Sequence, residues 1–187
     1  MFNTKNRELL FKHNNIDVEK YAGLLFKVLK NGCHCYIMTN SYNLKNMINT
    51  FTDVGFRYSL LICWDKKNKI VCNGTYMQQC EFILFFRKGT PVNKVNNTSI
   101  SNLISISNLA NKKHGHPTEK PVDLMKVFVE QSSNKGDIVL DPFVGVGATA
   151  IACKETRRKF IGCELDKKYF KTTIKRLKEN RITSIFR

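Results

Sequence analysis

The segment Leu140–Thr149, LDPFVGVGAT, lies between a short apolar run, IVLD (138–141), and a helix-compatible run from Ala148 to Thr156. Two glycines one residue apart, after a strand and before a helix, make a tight turn whose backbone can come close to a ligand. The alternation then repeats: KFIGCE (159–164) reads as a strand and Asp166–Glu179 as an amphipathic helix. Strand–helix–strand–helix with short turns requires parallel pairing. The fold class is therefore α/β, with a Rossmann-like sheet.

The rest of the chain supplies further elements. Val18–Lys30 carries apolar residues at helical spacing, and Asn31-Gly32 ends it as a C-cap. CHCYIM (33–38) reads as a strand, Tyr42–Thr52 as a helix and RYSLLICW (57–64) as a second strand. Lys66–Asn73 is polar and reads as a loop; CEFILFF (80–86) is continuously apolar, a strand buried on both faces. Residues 88–116 are rich in Asn and Ser without periodicity, and Pro121–Ser132 is a helix. A loop of that length in a compact domain is functional or mobile. No repeat or second domain is evident, so residues 1–187 read as one domain.

Charge and cysteine usage narrow the function classes. Lys and Arg number 31 against 15 Asp and Glu, a net charge of +16. That balance points to a polyanion such as nucleic acid, although the basic residues are spread along the chain. Seven cysteines, none in a CxxC pair, suit small buried side chains in a reducing compartment, so a cytoplasmic location is expected. His114 and His116 stand near no paired cysteines, so no metal site is expected. No long apolar run exists to span a membrane, and the first residues are too polar for a signal peptide.

Gly145-Val-Gly147-Ala-Thr-Ala150 fits G-x-G-x-x-G/A, and Glu164 ends the following strand, as a dinucleotide fingerprint requires. Asp141 argues against NAD or FAD. A carboxylate beside a pyrophosphate is repulsive where charges are weakly screened. It suits S-adenosylmethionine, which carries an ammonium, a sulfonium and no phosphate. Only one strand follows the loop, so strands that precede it must complete the sheet in a permuted order.

HPTEKPVDLM (116–125), SSNKGDIVLDPFVGVGATAIA and RRKFIGCELDKKYF together resemble the cofactor half of the DNA amino-methyltransferases of the beta group, whose motifs are permuted. Upstream, VLKNG (28–32), ICWDKKN (62–68) and EFILFFRKG (81–89) resemble the region before that family's target-recognition segment. The resemblance implies a class I methyltransferase sheet with an antiparallel portion, and methyl transfer from S-adenosylmethionine to adenine N6 or cytosine N4 in DNA. It also implies roles. Asp141 and Phe143 would line the cofactor, Gly145 and Gly147 would permit close approach, and Thr149 would contact the methionine carboxylate region. Glu164 would take the ribose hydroxyls, and Thr118 and Lys120 would close the pocket. Residues 1–87 correspond to the catalytic side, 88–116 to a target-recognition segment in which Lys112 and Lys113 would contact phosphates, and 117–187 to the cofactor half.

The family also carries an Asp/Asn/Ser-Pro-Pro-aromatic motif that holds the flipped base and accepts hydrogen bonds from its amine. No Pro-Pro occurs in these 187 residues. The chain therefore resembles the family with its front incomplete, and no catalytic residue is assigned. Either the strand before the cofactor loop pairs directly with the first upstream strand, or an edge stays open to a partner strand. Three readings follow: a DNA methyltransferase polypeptide whose catalytic motif lies on another chain, an inactive S-adenosylmethionine- or DNA-binding regulatory protein, or a remnant of a phage or restriction–modification methyltransferase; a homodimer is the alternative assembly to a second chain. Pro-Pro motifs of this type go more often with adenine.

Overall fold

A computed structural model describes residues 17–70, 74, 76–110 and 114–180. The elements run α1 (Val18–Val28), β1 (His34–Thr39), α2 (Leu44–Asp53), β2 (Arg57–Ile70), β3 (Gln78–Arg87), β4 (Leu103–Ser105), α3 (Val122–Ser132), β5 (Ile138–Asp141), α4 (Ala148–Glu155), β6 (Lys159–Gly162) and α5 (Lys167–Glu179). They form a four-stranded sheet in the order β1-β3-β2-β4 and a two-stranded sheet, β5-β6. β1 and β3 are antiparallel, whereas β2–β4 and β5–β6 are parallel, so the antiparallel portion and the parallel cofactor-side pair are both present.

Two compact units divide the chain. The first takes residues up to Ile62 with Glu81–Asn93. Its core is Val18 and Ala22 of α1, Phe51 of α2, Phe56, and Leu84 and Phe86 of β3. Phe51 and Phe86 stack at 5.0 Å, an aromatic contact that adds to their burial. Ile83 to Phe86 are all buried, as the unbroken apolar run demands. α1 ends where Leu29 turns extended, and the Lys88 ammonium donates to the freed carbonyls of Phe26 and Leu29. A cation on a helix C-terminus satisfies groups that have no partner inside the helix.

The second unit takes Cys63–Cys80 and the residues from Lys94 onward. Leu124, Met125, Phe128 and Val129 of α3 are buried with Ala150, Ile151, Ala152 and Cys153 of α4. Small residues on α4 are what permit two helices to lie this close, and they leave little side chain to pack elsewhere. Trp64 is fully buried and its indole N–H donates to the Ile106 carbonyl at 2.8 Å.

Most boundaries agree with the sequence within one or two residues, but two do not. β2 continues through the polar run expected to be a loop, to Ile70. The 88–116 segment contains a strand, β4, paired in parallel with Cys63–Asp65. β4 depends on a partner strand distant in sequence, and local periodicity carries no trace of it, whereas β2 runs on beside β3, the next strand in the chain. Among the described residues β1 pairs only with β3, and β5 only with β6. Direct pairing of the cofactor strand with the first upstream strand is absent among the described residues.

Candidate cofactor site

The site is built at the C-terminal end of β5, within the second unit. Asp141 is the last residue of β5, and its Oδ1 accepts the Phe143 N–H at 2.9 Å. Val144 N–H donates to the Cys163 carbonyl at 3.1 Å, tying the loop to the end of β6. Gly145 and Gly147 both take positive φ, 56° and 88°, where a side chain is strained. At Gly147 the reason is also steric: a Cβ would lie 2.7 Å from Thr173 Cγ2.

Glu164 closes the loop from β6. Its Oε2 accepts from Gly145 N–H at 2.7 Å and its Oε1 from Asp166 N–H at 2.8 Å. A carboxylate offers about four acceptor positions, so two backbone donors leave capacity for a diol. Asp141 and Glu164 repel each other across the loop. The Asp141 carboxyl is closely surrounded, and this desolvation raises its pKa; bonds from the Thr149 hydroxyl and the Phe143 amide oppose the shift, and the Glu164 charge adds to it. An incoming cation would relieve that strain, whereas a phosphate would increase it.

The remaining candidates fall as follows. Thr149 bonds to Asp141, so in this state its hydroxyl serves the carboxylate rather than an anion. Phe143 is half exposed beside the loop (50%). Thr118 N–H donates to His116 Nδ1 at 3.2 Å, which caps the turn before α3. The Lys120 ammonium lies 5.4 Å from the centroid of the Trp64 ring, a cation–π distance. Lys112 and Lys113 lie outside the described residues. No cluster of three or more metal-ligating side chains occurs among the described residues.

Five residues had no role assigned from sequence. His116 stands over the loop, with its Nε2 3.4 Å from where a Gly145 Cβ would be, and its ring packs on Tyr169 at 4.5 Å. Thr173 Oγ1 donates to the Gly145 carbonyl at 3.1 Å, and Arg176 Nη1 to the Val146 carbonyl at 2.6 Å. Arg176 also pairs at 3.2 Å with Glu119, which is buried. α5 thus holds the loop from beneath while the 116–120 turn covers it. The signal was present in α5: Tyr169, Thr173 and Arg176 follow helical spacing and share one face. Glu119 gave none, because a charge in a turn reads as solvated.

Comparison with known proteins agrees with this architecture. The sequence profile of a family described as DNA methylase matches residues 13–175. The type II methyltransferase M2.DpnII of Streptococcus pneumoniae is 28% identical over 88% of this chain and 68% of its own length. The DNA adenine methyltransferase YhdJ of Escherichia coli K12 is 45% identical, over 37% of this chain and 24% of its own. Among solved structures, the M1.HpyAVI–SAM complex is 31% identical with a TM-score of 0.76, covering 85% of this chain and 81% of that one. The cytosine-N4-specific PvuII DNA methyltransferase, at 21% identity and a TM-score of 0.75, shares the fold.

Proposed function

Because this chain belongs to the N6/N4-type DNA methylase family, we propose that it is the cofactor-holding polypeptide of a site-specific DNA amino-methyltransferase. The observation that carries this reading is the pair of carboxylates, Asp141 and Glu164, converging on one positive-φ glycine loop. The lining is anionic and the backbone is bare at Gly145, which fits a cationic nucleoside donor and opposes a phosphate-bearing one.

S-adenosylmethionine, when bound, supplies an electrophilic methyl group on its sulfonium. The chain's own residues bind and orient. Asp141 provides negative charge for the cationic methionine end, Glu164 accepts from ribose hydroxyls, and Phe143 offers an apolar wall. Gly145 and Gly147 let the backbone approach, and Thr149 keeps Asp141 in place. Thr118 and Lys120 close the pocket with the 116–120 turn. The transferred methyl forms a bond to an exocyclic amine of DNA as the sulfur–methyl bond breaks, and the amine gives up a proton. Adenine N6 is the favoured target over cytosine N4, and YhdJ, an adenine enzyme by name, is similar over part of the chain.

The base-holding side is proposed to come from a second, different chain; a homodimer is the other assembly proposed, and it would not by itself bring a Pro-Pro motif. β5 and β1 each have one strand neighbour among the described residues, and open edges accept strands. Residues 88–116 are proposed as the target-recognition segment, with Lys112 and Lys113 on phosphates. No helix among the described residues is long and apolar enough to cross a membrane. The free cysteines fit a reducing cytoplasm.

The test is calorimetric titration with S-adenosylmethionine, together with transfer of labelled methyl to DNA. Asp141→Asn and Glu164→Gln are expected to weaken cofactor binding at least tenfold. Wild-type affinity in both variants would refute the site. Methyl transfer by the purified monomeric chain would refute the second chain. Cofactor or DNA binding without transfer, even when a cognate partner is added, would favour a regulatory protein that has lost the chemistry.

A further inference from the structure

α5 has two faces with different work. Tyr169, Thr173 and Arg176 turn toward the cofactor loop and the 116–120 turn. Lys167, Lys168, Lys171, Lys175 and Lys178 are all exposed. At about 100° per residue, these five fall within a single arc of roughly 100°. Lys167, Lys168, Lys171 and Lys175 line one shallow hollow with Thr172. The acids on the helix sit at its ends. Asp166 caps the N-terminus through Lys168 and Tyr169 N–H, and Glu179 pairs with Lys175 at 3.8 Å.

Helix stability does not ask for such a stripe. Like charges at i,i+4 destabilise a helix by a few tenths of a kcal/mol per pair, and Lys167–Lys171 and Lys171–Lys175 are two such pairs. The dipole favours cations only in the last turn, whereas Lys167 and Lys168 stand in the first. A polyanion is the occupant that turns this arrangement favourable.

We propose that the outer face of α5 is a docking surface for the phosphate backbone of duplex DNA, in addition to the 88–116 segment. The inference rests on the reading above that the chain serves a DNA methyltransferase. From Lys167 to Lys178 the stripe is about 16 Å long at ~1.5 Å per residue. Duplex DNA presents about one charge per 1.7 Å of axis, so that length offers roughly five phosphates on each strand, a match for five lysines. Because the same helix holds the Gly145 and Val146 carbonyls, docking here anchors DNA on the element that supports the cofactor loop.

The experiment compares the wild-type protein with Lys167→Gln/Lys171→Gln/Lys175→Gln. Binding to a labelled 30-base-pair duplex is followed by fluorescence anisotropy between 50 and 300 mM NaCl. Each lost contact removes about 0.9 from the slope of log K against log salt. The triple variant is therefore expected to lose about 2 to 3 from the slope and on the order of a hundredfold in affinity near 0.1 M salt. A control with Lys27, Lys30 and Lys45 changed to Gln is expected to keep the wild-type slope. Equal losses in both variants would mean diffuse attraction and overturn the proposal, as would an unchanged slope in the α5 variant. Lysine-dependent binding to phosphatidylserine vesicles in place of the duplex would overturn it in favour of a membrane surface. Wild-type protein that binds S-adenosylmethionine but no DNA would sink the functional reading as well. Unchanged S-adenosylmethionine affinity in the α5 variant is the expected sign that its fold is intact.

Discussion

Replacing Arg176 with Met should cost more stability than any exposed charge removal in this chain. The guanidinium lies 3.2 Å from Glu119, whose side chain is 2% exposed, and it donates at 2.6 Å to the Val146 carbonyl. Burial disfavours the Arg176 charge, and the Glu119 carboxylate offsets part of that. Removing Arg176 leaves Glu119 with the His114 N–H at 3.3 Å and the His114 ring at 3.8 Å. Removing one partner of a buried pair costs about 3–5 kcal/mol, or roughly 6–20 °C in Tm for a protein this size. The double variant Glu119→Leu/Arg176→Met should be far less damaged than the single one. An apolar replacement of both partners is often near neutral; what remains is a Val146 carbonyl that loses a donor, at about 1–3 kcal/mol, and a His114 N–H that loses its long 3.3 Å bond to Glu119. Urea titrations of the four proteins, followed by circular dichroism, measure the cycle. A loss under about 1 kcal/mol for Arg176→Met, or strict additivity, would refute the claim that the loop is locked by a buried charge pair.

Gly147→Ala should destabilise the loop and weaken S-adenosylmethionine binding together, because a Cβ would stand 2.7 Å from Thr173 Cγ2 at a φ of 88°. The expected loss is about 1–3 kcal/mol, and adding Thr173→Ser should recover part of it in a thermal melt. The raised pKa of Asp141 makes its ionised form a cost to the apo protein. That group's contribution to stability is therefore present below the ordinary carboxylate pKa and lost as pH rises through the folded value. S-adenosylmethionine affinity should have the opposite sign, falling as pH drops through that value, with proton release on binding in calorimetry. Asp141→Asn should abolish both effects. Thiol labelling at pH 8 should be fast at the exposed Cys80 and Cys163. It should be slow at Cys35 and Cys153, pushed up to about 12 by burial, and at Cys63, pushed up to about 11. Loss of a fast phase in Cys80→Ser would check the assignment by mass spectrometry.

The run from β5 to α5 was legible because its determinants are local. IVLD, the paired glycines and the Asp166 cap each fix their own backbone, so β5, the loop, α4, β6 and α5 follow in order with boundaries nearly in place. Asp141 ends β5 and Glu164 follows two residues after β6, and strand ends define where side chains gather. What local composition concealed was what strand pairing and buried contacts decide. β2 runs through Lys66–Ile70 and Leu103–Ser105 becomes a strand where local composition reads as loop, because strand pairing outweighs polarity.

The clamp beneath the loop joins Glu119 to Arg176, and Thr173 to Gly145. Each partner is unremarkable in its own neighbourhood, and burial alone makes the pair costly to break. Thr149 shows the same divide. Its place at the start of α4 was readable, whereas its bond to Asp141 depended on how closely the turn folds over the end of β5. By itself the sequence determined the donor chemistry, since residue types and spacing dictate charge and backbone freedom. Tertiary structure decided which groups are desolvated, and so which of those charges are strained, shared or left to face solvent along α5.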